Sequence, residues 1–363
     1  MEGTRRAAGR ASMPTRIRRR VGRRLKRWQN QARNSSLGLA ATVLRAVRPG
    51  AATEERILRM NWASRDAARL DEYLVIGWQN PRINVQSILI RHALVHRLFG
   101  DEFADLERAE LELAVELNEA LRQEAARTRV HIHSYLDARR QAAIREVSRV
   151  IEPREHEMEQ RWRLALDGRS PEPLAVLELA CGSANDYRAF VDFGLAPFLD
   201  YTGIDLNPKN IDNARRRFPA ANFLVGNAMS TGRPDASADV VIASDLFEHL
   251  PFEVANGVLA EATRIARDGL ILSFFNMADV PDHVDQPVAA YHWNLLSAPR
   301  MVADLQRTFP SVTAIEIPAW LQAEFGYAHT YNPAAWTILA DRVAVASSGG
   351  AAGSRGTAVA TRA

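Results

Sequence analysis

The sequence predicts an α/β fold: a doubly wound, seven-stranded, mostly parallel sheet preceded by an α-helical N-terminal region. Three observations predict it. Short β-rich runs alternate with helical stretches after residue 173, and such alternation builds parallel β-α-β units covered on both faces. The composition changes at RSPEP, residues 169–173, where a helix-rich stretch stops. Two late β-rich runs fit a final hairpin that adds an antiparallel strand.

The predicted strands follow one another in a regular order, with helical segments between them. Five belong to β-α units, and two late strands complete the sheet. They are LAVLELA (174–180), YTGIDL (201–206), ANFLVGN (221–227), ADVVIAS (238–244), GLILSFF (269–275), VTAIEIP (312–318) and AWTILA (335–340).

The chain before residue 169 divides into two predicted parts. Residues 1–52 form a basic arm that we expect to be disordered, because residues 1–27 hold eleven Arg or Lys and only one acid, Glu2. Residues 53–168 form a predicted helical domain, with leucines recurring at helical spacing from 106 to 121, a helix that Gly100 ends, and a second long helix over 131–166. Residues 343–363 are a Gly/Ala/Ser-rich tail with no means of building a core.

The charge of the chain is uneven. Outside residues 1–27 there are 35 basic and 42 acidic residues, so the high isoelectric point belongs to the arm. Residues 5–27 are either a solvated tail or a weak docking segment for an anionic partner, RNA or a lipid surface. A transit peptide has a similar composition and is the weaker alternative.

Several classes of protein are excluded. The single cysteine, Cys181, rules out an intramolecular disulfide framework and a Cys-rich zinc site. No apolar run approaches the ~18 residues of a membrane span, and no apolar segment of a signal peptide follows the basic N-terminus. We therefore expect a cytoplasmic protein; its oligomeric state is not specified by the sequence.

Two histidine pairs precede the α/β part. His92 and His96 lie four residues apart on one helix face, the spacing of a two-ligand metal site, but the sequence offers no evident third ligand. His131 and His133 have no ligand-like partners either. We interpret all four as surface or packed histidines and predict no metal site.

The first chemical motif is the run VLELACGSAND, residues 176–186. A buried strand enters a turn of small residues and then a helix, which lets a ligand approach the backbone and the free N–H groups of the helix start. The dinucleotide fingerprint G-x-G-x-x-G is not met. The run resembles instead the first motif of class I S-adenosylmethionine-dependent methyltransferases, with Glu178, Ala180, Gly182 and Ala184 at the motif positions and alanine replacing glycine at two of them.

Three further segments extend the resemblance over about residues 173–341, with the Rossmann-like fold that the family has. Asp205 ends the second strand, where an acid accepts hydrogen bonds from ribose hydroxyls; a helix-capping role is the alternative. The resemblance implies that Leu206 flanks the adenine and that Asn227 and Ala228, where the family has Asp-Ala, contact it. It also implies that Ser244, Asp245 and Leu246 line the mouth where sulfonium and acceptor meet.

The acceptor side is less determined by the sequence. The segment from Phe274 to Leu305 is long and rich in polar and aromatic residues, which makes it a candidate lid or substrate loop. His292 is the favoured general base, because neutral histidine titrates in the useful range; the alternative is that YHWN only packs the next helix. The remaining candidates for catalysis are His283 and His249. The remaining candidates for base or substrate contact are Asp285, Tyr291, Asn294, Tyr327, His329 and Tyr331.

The resemblance implies S-adenosyl-L-methionine as cofactor and an O- or N-linked acceptor on a small molecule, as in sugar, quinone and secondary-metabolite methyltransferases. An N-P-P-Y-like tetrapeptide is absent after the fourth strand, which argues against methylation of nucleic-acid bases. An acidic metal cluster of the catechol type is absent as well. Two alternatives remain open: an RNA or protein methyltransferase that docks through the basic arm, and a non-catalytic cofactor-binding scaffold.

Overall fold

The computed structural model describes residues 85–109, 111–112, 114–116, 119, 157–288, 291–327 and 332–342. The predicted arm, the C-terminal tail, the pair His131 and His133, and the site candidates His329 and Tyr331 lie outside these ranges. Among the described residues, no helix is long and apolar enough to cross a membrane.

Five strands build the parallel part of the sheet, each at a predicted position. They are β1 (Leu174–Leu179), β2 (Leu199–Asp205), β3 (Asn222–Val225), β4 (Ala238–Ser244) and β5 (Ala266–Phe274). The central strands are buried on both faces, as their near-continuous Val, Ile and Leu runs require.

The connection after β5 is extended and folded back on itself. It contains four two-residue strands, β6 (Met277–Ala278), β7 (Pro287–Val288), β8 (Tyr291–His292) and β9 (Leu296–Ser297). β7 pairs antiparallel with β8, and β6 pairs parallel with β9. Over its described residues, the predicted substrate loop therefore contains two small two-stranded ribbons, β6–β9 and β7–β8.

The last two strands, β10 (Ser311–Glu316) and β11 (Trp336–Asp341), close the sheet in the order β10-β11-β5-β4-β1-β2-β3. β11 runs antiparallel to both β5 and β10. The predicted seven-stranded sheet with a late antiparallel strand is confirmed.

Seven labelled helices flank the sheet: α1 (Val85–Phe99), α2 (Glu157–Leu166), α3 (Asn185–Asp192), α4 (Pro208–Arg217), α5 (Phe252–Ile265), α6 (Ala298–Leu305) and α7 (Ile317–Phe325). Residues 104–109 are also helical, and α1 ends where predicted, before Gly100 at φ +64°. The expectation of five β-α units is wrong at one point: residues 226–237, between β3 and β4, contain no helix. Gly232 and Pro234 occupy this short connection and favour a turn.

Helices α1 and α2 share a core with the sheet, although both belong to the stretch predicted as a separate helical domain. Phe99 of α1 stacks on Trp162 of α2 with ring centroids 5.3 Å apart, and the indole N–H of Trp162 donates to Phe193 O at 2.9 Å. Gly194 permits this contact: a Cβ at its φ of +69° would lie 2.3 Å from the backbone nitrogen of Glu159. The exact domain boundary stays a prediction.

Candidate active site

The carboxyl ends of the parallel strands form one edge of the sheet. The chain order reverses between β1 and β4, since β2 and β3 lie on one side of β1 and β5 lies beyond β4. Open α/β sheets bind ligands at such a switch point, outside the carboxyl ends of the strands. The loops that follow β1, β2, β4 and β5 therefore define the candidate site.

The loop after β1 has an unusual backbone. Ala180, Gly182 and Ala184 all adopt left-handed φ angles, of 58°, 57° and 66°. Left-handed backbone is unfavourable for a residue with a Cβ, so the two alanines hold a conformation that glycine would adopt freely. A Cβ added to Gly182 would meet nothing within 4 Å apart from its chain neighbours, although Gly182 itself is buried. The loop therefore borders free space on the side where its backbone turns.

Asp205 is the buried anchor of this edge. Its Oδ2 accepts the backbone N–H of Gly182 at 3.0 Å, and its Oδ1 accepts the N–H of Asn207 at 2.7 Å and the Nδ2 of Asn210 at 3.2 Å. The carboxylate thus ties the loop after β1 to the turn that begins α4. Asp205 thus positions the loop. Its contact with a ribose stays a prediction.

Three carboxyl groups converge behind the loop: Glu178, Asp186 and Asp205. Burial raises the pKa of Glu178 well above its usual range, and the negative charges of Asp186 and Asp205 raise it further. Glu178 accepts a hydrogen bond of 2.5 Å from the hydroxyl of Tyr201. Burial also raises the pKa of Asp186, while the hydroxyl of Ser244 acts in the opposite direction. A cation bound beside these groups would relieve their mutual repulsion.

Asp186 was not among the predicted site residues. It is the only acid in the first turn of α3, directly after the small-residue loop. Acids favour that position because of the helix dipole, so the signal was present in the sequence but had a structural explanation. Cys181 beside it is buried, and burial raises the pKa of its thiol well above the usual range. It therefore packs as a protonated thiol.

The other predicted cofactor residues lie on the same edge. Asn227 Oδ1 accepts the N–H of Met229 at 2.9 Å and shapes the turn after β3. Ala228 is buried beside it, and Leu206 is half-buried at the end of β2. After β4, Asp245 has a left-handed φ of 51° and donates its N–H to Ser273 O. Leu246 is fully buried in the core beneath that turn.

Glu248 is a buried acid to which the sequence assigned no role. Its Oε1 accepts the N–H groups of Phe275 at 2.7 Å and Asn276 at 3.3 Å, which joins the loops after β4 and β5. Its Oε2 is buried with no hydrogen-bond partner in the described part of the chain. Burial raises the pKa of Glu248 to about 7, against the lowering effect of the backbone N–H groups.

His249 is held in one tautomer by the connection after β5. Its Nδ1 lies 3.2 Å from the carbonyl oxygen of His292; since a carbonyl only accepts, Nδ1 carries the proton and Nε2 has a free lone pair. Nε2 is buried and has no hydrogen-bond partner among the described residues. Rings of Phe275, Tyr291 and Trp293 surround the imidazole, with centroids 5.1, 6.0 and 5.5 Å away. Burial lowers the pKa of His249 to about 4, so its ring is neutral at physiological pH.

The two remaining histidine candidates differ in their hydrogen bonds. His292 Nδ1 lies 2.7 Å from Asp285 Oδ1, and its side chain is 20% exposed. This carboxylate orients the ring and leaves Nε2 without its proton in the neutral form. His283 has the opposite arrangement, because its Nδ1 accepts the N–H of Ser297 at 2.8 Å. The neutral ring of His283 therefore carries its proton on Nε2, which makes it a donor rather than a base.

Two other candidates have structural contacts. Asn294 is fully buried; its Nδ2 donates to Leu250 O at 2.7 Å and its Oδ1 accepts the N–H of Gln286 at 3.0 Å. These two hydrogen bonds join the connection after β5 to the turn after β4. Tyr327 packs in a hydrophobic cluster with Ile88 and Leu321, between α1 and α7.

A methyltransferase-domain family model matches residues 176–269. This range begins in β1, ends in β5 and contains all ten predicted cofactor residues. The match concerns this part of the chain, and the sheet order agrees with it. The chain contains a class I S-adenosylmethionine-dependent methyltransferase domain.

Two curated relatives are each similar to part of the chain. A phthiotriol/phenolphthiotriol dimycocerosates methyltransferase from Mycobacterium leprae is 33% identical over 107 residues, 28% of this chain and 37% of the relative. A probable S-adenosylmethionine-dependent methyltransferase from Mycolicibacterium smegmatis is 28% identical over 133 residues, 36% of this chain and 49% of the relative. The matches thus span less than half the length of each relative. Among solved structures, magnesium protoporphyrin IX methyltransferase from Synechocystis has 22% identity and a TM-score of 0.33, covering 50% of this chain and 76% of that one.

The match to the methyltransferase domain divides the predicted site residues in two. His249 lies inside it, whereas His283 and His292 follow it, in the connection after β5. Two of the three predicted catalytic histidines therefore lie outside the matched range.

Outside the methyltransferase match, the structure adds a neighbour to the first histidine pair. A carboxylate oxygen of Glu107 and one ring nitrogen each of His92 and His96 lie within 4.8 Å of one another. The sequence offered no third ligand because Glu107 lies 11 residues beyond His96, after a turn that brings the chain back.

Proposed function

We propose that this protein binds S-adenosylmethionine at the carboxyl edge of the sheet and transfers its methyl group to an oxygen or nitrogen of a small-molecule acceptor. The observation that carries the proposal is the pairing of the left-handed loop 180–184 with three converging carboxyl groups. The methyltransferase-domain match over residues 176–269 supports it independently.

The residues present fit this cofactor. Gly182 is buried yet borders free space, so the backbone of the loop allows a close approach. Burial raises the pKa of both Glu178 and Asp186, and the charge of Asp186 raises the pKa of Glu178 further, which suits a ligand with an ammonium group and a sulfonium. We assign the ribose to Asp205, the adenine to Leu206, Asn227 and Ala228, and the methyl-bearing end to Ser244 and Asp245. Leu246, which is fully buried in the core, supports their turn from below.

The bound cofactor would supply an electrophilic methyl group on a positively charged sulfur. The task of the chain is then to hold the acceptor in line with that methyl group, exclude water and remove a proton from the acceptor. The aromatic rings of Phe275, Tyr291 and Trp293 around His249 provide apolar walls at the edge of the sheet. Such walls favour a dry acceptor pocket.

We assign the base to His292 and a positioning contact to His249. His292 is partly exposed, and Asp285 fixes its ring with Nε2 free to take a proton. His249 has a pKa of about 4 and is therefore a weak base, but its Nε2 lone pair would accept a hydrogen bond from an acceptor hydroxyl. The backbone carbonyl of His292 bonds the ring of His249, so the two residues are neighbours.

The test is a transfer assay with methyl-labelled S-adenosylmethionine and separate panels of hydroxyl- and amine-bearing small molecules, RNA and protein. The small-molecule panel includes compounds of the phthiotriol type, for which one relative is named. We expect label in a small molecule, and a loss of about 10²- to 10⁴-fold in kcat for His292→Gln with unchanged cofactor binding.

Other outcomes would favour the alternatives. Transfer to RNA or protein that is lost after removal of residues 1–27 would replace the proposal by docking through the basic arm. Cofactor binding without transfer to any panel would favour the non-catalytic scaffold. A cytoplasmic location stays a prediction of the sequence.

A further inference from the structure

The strongest unexplained cluster outside the candidate active site lies between α1 and the helical residues 104–109. His92 and His96 occupy positions i and i+4 of α1, so both rings lie on one face of that helix. Their ring centroids are 4.6 Å apart at an interplanar angle of 81°. Together with Glu107 they place three ligand atoms within 4.8 Å of one another.

Glu107 is the member of the cluster that needs an explanation. Its side chain is 3% exposed, and its Oε1 lies 2.8 Å from Nδ1 of His92. No other ion pair of Glu107 is found within the described part of the chain. A buried carboxylate is costly unless a charged partner compensates it, and a neutral imidazole supplies a hydrogen bond but no charge.

His96 is already oriented as a metal-binding histidine would be. Its Nδ1 lies 3.0 Å from Asp101 Oδ1, in the turn between the two helices. Histidines that bind metals commonly donate their other N–H to a carboxylate, which fixes the ring and its tautomer. With Nδ1 protonated toward Asp101, Nε2 of His96 is left with its lone pair for a metal.

We propose that His92, His96 and Glu107 bind one Zn²⁺ ion, with the fourth position taken by water. Imidazole nitrogen and carboxylate oxygen are ordinary zinc ligands, and two histidines with one glutamate form a known ligand set. The ion takes the place of the hydrogen between His92 Nδ1 and Glu107, and that hydrogen moves to Nε2, so the ring stays a neutral ligand. Binding weakens at low pH, because protons compete with the metal for the imidazoles and the carboxylate.

The consequence of this site is a metal link within the N-terminal helices, separate from methyl transfer. Zinc would join α1 to the following helical segment and neutralise Glu107. The ring of Trp320 in α7 lies 6.0 Å from that of His92 and covers one side of the site. None of these residues belongs to the loops at the carboxyl edge of the sheet.

The experiment uses the full chain without a histidine tag, stripped with a chelator and dialysed. Zinc is titrated by calorimetry, zinc content is measured by mass spectrometry, and Co²⁺ is added as a spectroscopic probe of the ligand field. The variants are His96→Gln, which changes a half-exposed side chain and is expected to fold, Glu107→Gln, and the matched control Glu116→Gln, an exposed acid of the same helical region.

We expect one zinc per chain in the wild type and in Glu116→Gln, a raised unfolding temperature with zinc but not with Mg²⁺, and at least about tenfold weaker zinc binding in the other two variants. Absence of stoichiometric zinc in the wild type would overturn the proposal. So would zinc binding that is unchanged in His96→Gln and Glu107→Gln, because the metal would then lie elsewhere.

Discussion

The substitution Ala184→Gly tests whether the loop after β1 holds its left-handed backbone. Ala184 has φ 66° and ψ 48°, caps the start of α3 without a side-chain hydrogen bond, and is fully buried. A left-handed residue with a Cβ costs about 1–2 kcal/mol. Glycine removes that strain, but it adds about 0.4–1 kcal/mol of unfolded-chain entropy and loses the burial of one methyl group, about 0.8 kcal/mol.

The opposing contributions nearly cancel, so Ala184→Gly should change the free energy of unfolding by less than about 1 kcal/mol. The matched control is Ala189→Gly, at an equally buried position in the interior of α3. There glycine relieves no strain and loses helix propensity and a buried methyl group, about 2 kcal/mol in all. Urea unfolding followed by circular dichroism measures both variants. Equal destabilisation by the two substitutions would refute the strained loop.

Two further predictions concern the loops that close the site. The pKa of Glu248 is about 7 in the folded protein, above the value of 4.5 that the group has when exposed. The contribution of Glu248 to the free energy of unfolding is therefore fully present below pH ~4.5 and is lost as the pH rises through 7. Relative to Glu248→Gln, the wild type should lose about 3 kcal/mol of unfolding free energy between pH ~4.5 and 7. If the urea midpoints of the two proteins change with pH in the same way, Glu248 does not have a raised pKa. Asn294→Ala should cost about 2–4 kcal/mol, because the carbonyl of Leu250 and the N–H of Gln286 lose their partner inside the protein. An unfolding free energy within 0.5 kcal/mol of wild type, on the order of an exposed substitution, would mean that water replaces both bonds.

The sheet was predictable because its signal is local. Buried strands such as ADVVIAS contain continuous apolar stretches rich in β-branched residues, and their alternation with helices leaves few topologies for a parallel sheet. The late pair β10 and β11 was predictable for the same reason. The connection between β3 and β4 was not, since the sequence pattern gave no length for its helix and Gly232 and Pro234 turn the chain instead.

The site was predictable only where a residue follows a strand directly. Asp205 ends β2, and the position of a strand end fixes which edge its side chain joins. Glu248 and Glu107 were not assigned, because their significance depends on what buries them and which residues bond them. Among the histidines, the sequence favoured His292, but residue type and spacing gave no physical reason to separate it from His283. Their tautomers depend on one backbone N–H and one carboxylate, contacts that exist only in the folded chain.

The central claim is that the carboxyl edge of the sheet binds S-adenosylmethionine. The most direct measurement is calorimetric titration of S-adenosylmethionine and S-adenosylhomocysteine into the wild type, Asp205→Ala and the control Asp212→Ala, an exposed acid of α4. Thermal unfolding of each variant must accompany it, because Asp205 also anchors the loop through Gly182. We predict binding in the micromolar range that weakens by about 1–3 kcal/mol in Asp205→Ala alone. Failure of the folded wild type to bind either compound would contradict the account.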